Sequence, residues 1–349
     1  MKFYGELLIF VLLFITNIRV FFTKNARKDP LAVIAPFAFI LSILQIIAWG
    51  IEFLTVLGFF IAFLVLVSNF HALFRYSERL YIDHYSPLMK FWAVLTTMLS
   101  VPAIFLTIVT APVELKNNEL KISETKIRYT GSFRAGFQKA GIFSPSNAQL
   151  YMFSPNNPAE QNEGEQIPLI LFFPDKRGDT QNYLPYLQLL AQKGCTVLSA
   201  DFFSDDLKWL HSFEDYKLLR QSAFVFHSLK NYQKFMSQRE FYSYNILQEC
   251  NAMLKFTDEL FSPETKFYMV SDVMGNIAIS DFAKMNNSRV LGTFFLDSVE
   301  EYKTAGYGCV EQTSPTVSYL LGQKRDKTCF VPKILVEKTL EKFNLNYGE

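Results

Sequence analysis

The residues that could do chemistry gather in FYMVSDVMGNIAISDF, residues 267–282. An apolar strand runs into a tight turn containing a glycine and then into a helix, the layout of a nucleophile elbow, G-x-S-x-G. The five elbow positions hold Ser271, Asp272, Val273, Met274 and Gly275. Attack on a carbonyl needs an oxygen or sulfur at the third position and a base to take its proton. Val273 offers two methyl groups instead. Moving the frame back to make Asp272 the nucleophile puts Val270 and Met274 where small residues are needed. Ser271 falls at the first-glycine position, where a side chain meets crowding rather than substrate. A base is also missing: the order expected along the chain is nucleophile, acid, histidine. His71, His84, His211 and His227 all precede the elbow.

Other chemistries find less support. The four cysteines form no C-x-x-C pair, so neither a zinc site nor a redox motif is indicated. Asp201, Asp205, Asp206 and His211 match no metal-ligand spacing and read as a solvated turn. No metal and no cofactor are expected. The formal net charge is +1 and no basic block stands out, which argues against a nucleic-acid partner.

The elements that must position the elbow divide the chain in two. Residues 1–112 carry four apolar runs, Leu7 to Phe22, Leu31 to Trp49, Phe53 to Val67 and Phe91 to Ala111. A membrane-spanning helix needs about 20 mostly apolar residues. The second and fourth runs meet this directly. The third meets it with its flanks, and the first if Arg19 snorkels to the interface. No small-x-small cleavage site follows the first run, so it reads as an uncleaved anchor. Lys24, Arg27 and Lys28 fill one loop, and Arg75, Arg79 and Lys90 another, which places both loops on the cytoplasmic side. Both termini, and with them residues 113–349, should then be extracytoplasmic, in a multi-pass protein of the cell membrane with membrane lipid as its first partner. Asn17, Gln45 and Glu52 are scattered and read as helix-to-helix hydrogen bonds or interface residues rather than as a relay.

Residues 113–349 alternate strand and helix. AQLYMFS, IPLILFF, CTVLSADFF, KFYMV and RVLGTFFLD read as strands, with helices between them. That order argues for a mostly parallel sheet with helices on both faces. Cys309 and Cys329 share the tail and, facing an oxidising space, can pair; Cys195 on a core strand reads as an inert buried thiol.

LFFPDKRG at 171–178, YLQLLAQKGCTVLSAD at 186–201, the elbow, and NNSRVLGTFFLDS at 286–298 together resemble the α/β-hydrolase superfamily. Within it, they resemble membrane-anchored proteins of the platelet-activating-factor acetylhydrolase and dienelactone-hydrolase type. The resemblance implies a Ser-Asp-His site with an oxyanion loop. Its loop positions fall on Phe173, Pro174, Asp175 and Gly178, and Asp175 sets a carboxylate where negative charge would develop. Its acid position falls on Asp297, which reads as a strand-end aspartate bonding nearby amides. The nucleophile, the base and the oxyanion loop are thus all altered, and the site is expected to be degenerate. The leading expectation is a non-catalytic, membrane-anchored domain that binds a lipid, an acyl ligand or a partner protein. The alternatives are an active esterase or lipase with a rearranged site, and a structural membrane subunit.

Overall fold

The computed structural model describes residues 2–22, 28–49, 52–81, 84–111, 113, 115–130, 147–156, 167–175, 178–202, 226, 229–305, 314–323 and 325–345. The chain forms two compact units, Met1–Pro112 and Val113–Glu349.

The first unit holds four helices long and apolar enough to cross a membrane: α1 (Lys2–Phe22), α2 (Ile34–Trp49), α3 (Phe53–Ser77) and α4 (Pro87–Val109). A short turn, Pro30–Val33, lengthens α2 at its start. Ile9, Phe10 and Leu13 of α1 pack against Ala35, Ala38, Ile61, Ala62, Val65 and Ala103. Alanines at these positions let the helix backbones approach closely, which drives association where lipid is as apolar as leucine. The bulky Phe37, Phe60, Phe70 and Phe105 are exposed on the outside of the bundle, as lipid-facing residues would be.

Arg19 does not snorkel. It is buried inside the bundle, where its Nη1 meets the Asp29 carboxylate at 2.8 Å. Its Nε donates to the Thr16 carbonyl at 3.0 Å and its Nη2 to Asn69 Oδ1. The Tyr85 hydroxyl donates to the same Asp29 carboxylate. A counter-charge folded in from the segment after α1 makes burial of the guanidinium less costly than exposure to lipid. Glu52 also has a defined place: it pairs with Lys2 and caps α3, with its N–H donating to Thr55 Oγ1 at 2.8 Å.

The second unit is built on a six-stranded mixed sheet: β1 (Ile122–Thr130), β2 (Asn147–Pro155), β3 (Leu169–Phe173), β4 (Thr196–Asp201), β5 (Phe267–Ser271) and β6 (Val290–Phe295). The order is β1-β2-β4-β3-β5-β6. β2 runs antiparallel to β1 and β4, and all other neighbours are parallel. β1 was not expected. Its sequence, ISETKIRYT, is polar at most positions, so an edge strand left no clear apolar alternation. The helices are α5 (Asn117–Leu120), α6 (Leu184–Gln192), α7 (Tyr232–Leu260), α8 (Asn276–Met285), α9 (Glu300–Thr304), α10 (Pro315–Leu320) and α11 (Phe330–Lys342).

Helices cover both faces because β3 alternates within an all-apolar run. Ile170 and Phe172 join Tyr186, Leu187 and Leu335 on the side of α6 and α11. Leu169, Leu171 and Phe173 join Met253, Phe256, Ile279 and Phe282 on the side of α7 and α8. The chain leaves β3 toward β4 on one flank and later returns to β5 on the other. The C-terminal ends of β3 and β5 therefore flank a topological switch point, where open α/β sheets place their ligands.

The Arg19–Asp29 pair yields a stability prediction. Asp29→Ala should destabilise the full chain in mixed micelles by about 3–5 kcal/mol, because it strands a buried guanidinium. Arg19→Met combined with Asp29→Leu should recover most of that loss. Denaturing-detergent titration followed by far-ultraviolet circular dichroism measures both.

Candidate functional site at the β5 elbow

β5 ends at the fully buried Ser271. The chain then turns through a single 3-10 turn, Val273–Gly275, into α8. Val273 sits at the apex with φ +20. Positive φ is a steric outlier for a β-branched residue. It falls at the position where a nucleophile elbow carries its strained serine. Gly275 is required by a close approach: a Cβ there would lie 2.8 Å from Ser271 Cβ. The backbone thus has the form of an elbow, while its apex presents only the half-buried isopropyl group of Val273.

Asp272 is fully buried beneath the apex, and donors converge on it. The Val273 N–H donates to its Oδ1 at 3.0 Å. The Tyr183 hydroxyl donates to Oδ2 at 2.7 Å, and the Tyr302 hydroxyl donates to the same oxygen. An ionised carboxylate only accepts hydrogen bonds, so such a set of donors suits it. Tyr183 is fixed by an edge-on contact with Phe172, ring centroids 4.8 Å apart. Its oxygen also accepts from the Asp175 N–H at 3.2 Å. Burial first, then the Asp272 carboxylate and the neighbouring Tyr302 and Asp175, push the Tyr183 phenol well above the ordinary range. It is a hydrogen-bond donor held neutral, not a base.

A second line of hydrogen bonds runs beside the first. Ser271 Oγ donates to Asn276 Oδ1 at 2.8 Å, and Asn276 Nδ2 donates to Asp297 Oδ1 at 2.6 Å. Asp297 is half-buried in a turn that follows β6. The acid position is therefore engaged by an amide from the first turn of α8.

β3 ends at Phe173, and the loop after it carries Pro174, the buried Asp175 and the buried Gly178, whose N–H donates to the Asp175 carbonyl at 3.0 Å. An oxyanion hole needs a free amide from this loop. The Asp175 amide is already directed at Tyr183. The structure thus brings Ser271, Asp272, Val273, Gly275 and Asp297 together with Asp175 at the switch point. Met274 packs into the core on the α7 and α8 side.

Three site residues escaped the sequence reading: Tyr183, Tyr302 and Asn276. Asn276 could have been found, since it opens the helix after the elbow within reach of both strand ends. Tyr183 and Tyr302 had no spacing signal. Cys195 is fully buried, and burial pushes its thiol up to about 12. Cys329 is a buried free thiol, and Cys309 lies outside the described residues. Asp205, Asp206, His211 and His227 also lie outside them.

Comparison with known proteins adds little to this geometry. Residues 2–109 match the family model TP_0976_N, described as an N-terminal domain. No curated protein matches the chain. Among solved structures, a ferulic acid esterase aligns over 65% of this chain and 88% of its own, at 9% identity and a TM-score of 0.26.

The Tyr183 environment predicts alkaline instability. Its folded pKa lies above the unfolded value of 10.0, so its contribution to stability is full below that pH and declines as pH rises past it. Tyr183→Phe should make the stability of the globular unit fall less steeply above about pH 10, by up to about 1.4 kcal/mol per pH unit for one proton. Pulse proteolysis of the full chain in urea, repeated across pH 8 to about 11, gives the slope.

Proposed function

We propose that this protein is a membrane-anchored, hydrolase-like protein that has kept the elbow and given up turnover, and that its globular unit binds a lipid or acyl ligand or a partner protein. One observation carries the reading: among the described residues, the acid position and the Asp175 loop amide around Val273 are engaged by neighbouring side chains. Val273 provides no nucleophile. Asp297 accepts from Asn276, and the Asp175 amide donates to Tyr183. A substrate carbonyl placed at the apex would meet the methyl groups of Val273, with no attacking atom there, and the Asp175 amide, among the described residues of the loop, is directed at Tyr183. The four apolar helices supply the anchor. The half-buried Val273 gives an acyl chain or a partner's apolar side chain a surface to rest on.

The test is turnover by the full chain in detergent micelles. Short-chain aryl esters and oxidised phospholipids should be hydrolysed no faster than by a heat-denatured control, and a fluorophosphonate probe should label no serine. Val273→Ser should remain near background. The new hydroxyl would have no base within the described site, and each absent oxyanion donor costs about 100-fold to 1,000-fold. Substrate-protected labelling of a serine in the unaltered chain would favour the rearranged-esterase alternative instead.

The same reading puts residues 113–349 outside the cytoplasm, supported by the Lys and Arg of the two loops assigned to the inner side. A reporter enzyme fused after Glu349 that works only in oxidising compartments should be active. Activity from a reporter that works only in the cytoplasm would reverse the orientation.

A further inference from the structure

We infer that the four-helix bundle holds an internal water site at Asn17, in a polar layer made by Asn17 of α1, Asn69 of α3, and Thr96 and Ser100 of α4. The site lies within the first unit and does not depend on the function of the second.

The observation is an amide with nothing to bond to. Asn17 is 1% exposed, and both its Nδ2 and its Oδ1 are buried without a hydrogen-bond partner among the described residues. It does not make the helix-to-helix hydrogen bond expected of it. Turning the amide over changes nothing, since both ends are unpartnered. Its neighbours meet the same demand with protein groups. Asn69 Nδ2 donates to the Val65 carbonyl at 2.8 Å, and Asn69 Oδ1 accepts from Arg19. The Thr96 and Ser100 hydroxyls donate to the Trp92 and Thr96 carbonyls, each at 2.7 Å. An unpaired polar group in the core of a bilayer is costly, so Asn17 calls for a partner.

Three helices place the layer. Two apolar clusters fill the bundle, one containing Leu13, Val65 and Ala103, the other Val20, Ala72 and Ala93. Asn17 falls between Leu13 and Val20 on the buried face of α1, at the spacing that keeps side chains on one face. Asn69 falls between Val65 and Ala72 on α3 in the same way, and Thr96 and Ser100 fall between Ala93 and Ala103 on α4. The four buried polar side chains therefore share one level of the bundle. Thr96 and Ser100 give their hydroxyl protons to carbonyls, which leaves oxygen lone pairs to accept. The ligand follows from what Asn17 lacks, an acceptor for Nδ2 and a donor for Oδ1. An anion would serve Nδ2 alone. A cation would serve Oδ1 alone, and the Arg19 guanidinium bonded to Asn69 would repel it. Water serves both ends. Accepting from Nδ2 and donating to Oδ1 or to a hydroxyl oxygen, it reaches the about three hydrogen bonds typical of internal water.

The experiment is pulsed hydroxyl-radical footprinting of the full chain in lipid nanodiscs, read by mass spectrometry. Radicals formed from a bound water oxidise the side chains beside it even where bulk solvent is excluded. Leu13 and Val20 flank Asn17 and are 0% and 2% exposed, while Ile9 and Ile61, away from the layer, are 1% and 0% exposed. Corrected for intrinsic reactivity, Leu13 and Val20 should be oxidised several-fold faster than Ile9 and Ile61. Asn17→Leu nearly keeps the volume and removes the need for a partner, so it should bring Leu13 and Val20 down to the rate of the two isoleucines. Thr96→Val with Ser100→Ala removes the hydroxyl acceptors and should also slow their oxidation. Circular dichroism and protease resistance check that each variant is folded, and the comparison within the unaltered chain decides even where a variant fails that check. Equal rates at the four residues, whether all slow or all fast, overturn the inference, because water is then either absent from the layer or not confined to it. Fast oxidation of Leu13 and Val20 that persists in folded Asn17→Leu overturns it too.

Discussion

The globular unit depends on one buried carboxylate. Asp272 is removed from water just beyond the end of β5, where an unsatisfied charge would be prohibitive. It is accommodated because three segments far apart in the chain bring donors to it: the turn before α6 through Tyr183, the elbow through its own Val273 N–H, and α9 through Tyr302. Each donor also fixes the segment that carries it. Tyr183 is further bound to the loop after β3 and packed on Phe172, so the ends of β3 and β5 are tied at their switch point. The place where an open α/β sheet would ordinarily receive a ligand is crossed by internal hydrogen bonds.

The membrane unit follows the same physics in a harsher solvent. Arg19 could not remain in hydrocarbon alone, and Asp29, Asn69 and Tyr85 supply what water supplies elsewhere. This cluster joins α1 to the segment before α2, to α3 and to the start of α4, and a purely apolar interface would leave those elements freer to slide. Polar groups in both units therefore tie apolar elements into one arrangement.

Much of this was legible in the sequence, and the parts that were not share a cause. The apolar runs announced the four helices of the first unit, and the alternation of buried strands and amphipathic helices announced the α/β unit. Local pattern was enough there because each signal lies within one element. Arg19 was misread because its partners are remote: Asn69 lies 50 residues away, and Tyr85 reaches the cluster through Asp29 across 56. Tyr302 lies 30 residues beyond Asp272 on a five-residue helix with no periodic signature. β1 was lost because a mostly polar edge strand carries little apolar alternation. Contacts made by folding, rather than by spacing, are what a single sequence withholds. At the elbow the sequence spoke more clearly, since a valine at the apex is a chemical fact that no fold can alter.

Val273 also bears on how backbone strain should be read. A β-branched residue at positive φ persists only where its surroundings over-determine it, and such sites are commonly active sites. Here the over-determination is visible without any chemistry. Gly275 must pass close to Ser271, and Ser271 is linked through Asn276 to Asp297. Asp272 caps the turn while holding two tyrosines. Remove the reaction, and every one of these constraints still requires a sharp passage from β5 into α8. The bend is thus a property of how the strand meets the helix, while catalysis is a property of what the apex side chain presents and what stands free to assist it. An elbow-shaped backbone is evidence for the first alone, and the free or engaged state of the surrounding donors separates a site poised for chemistry from one closed upon itself.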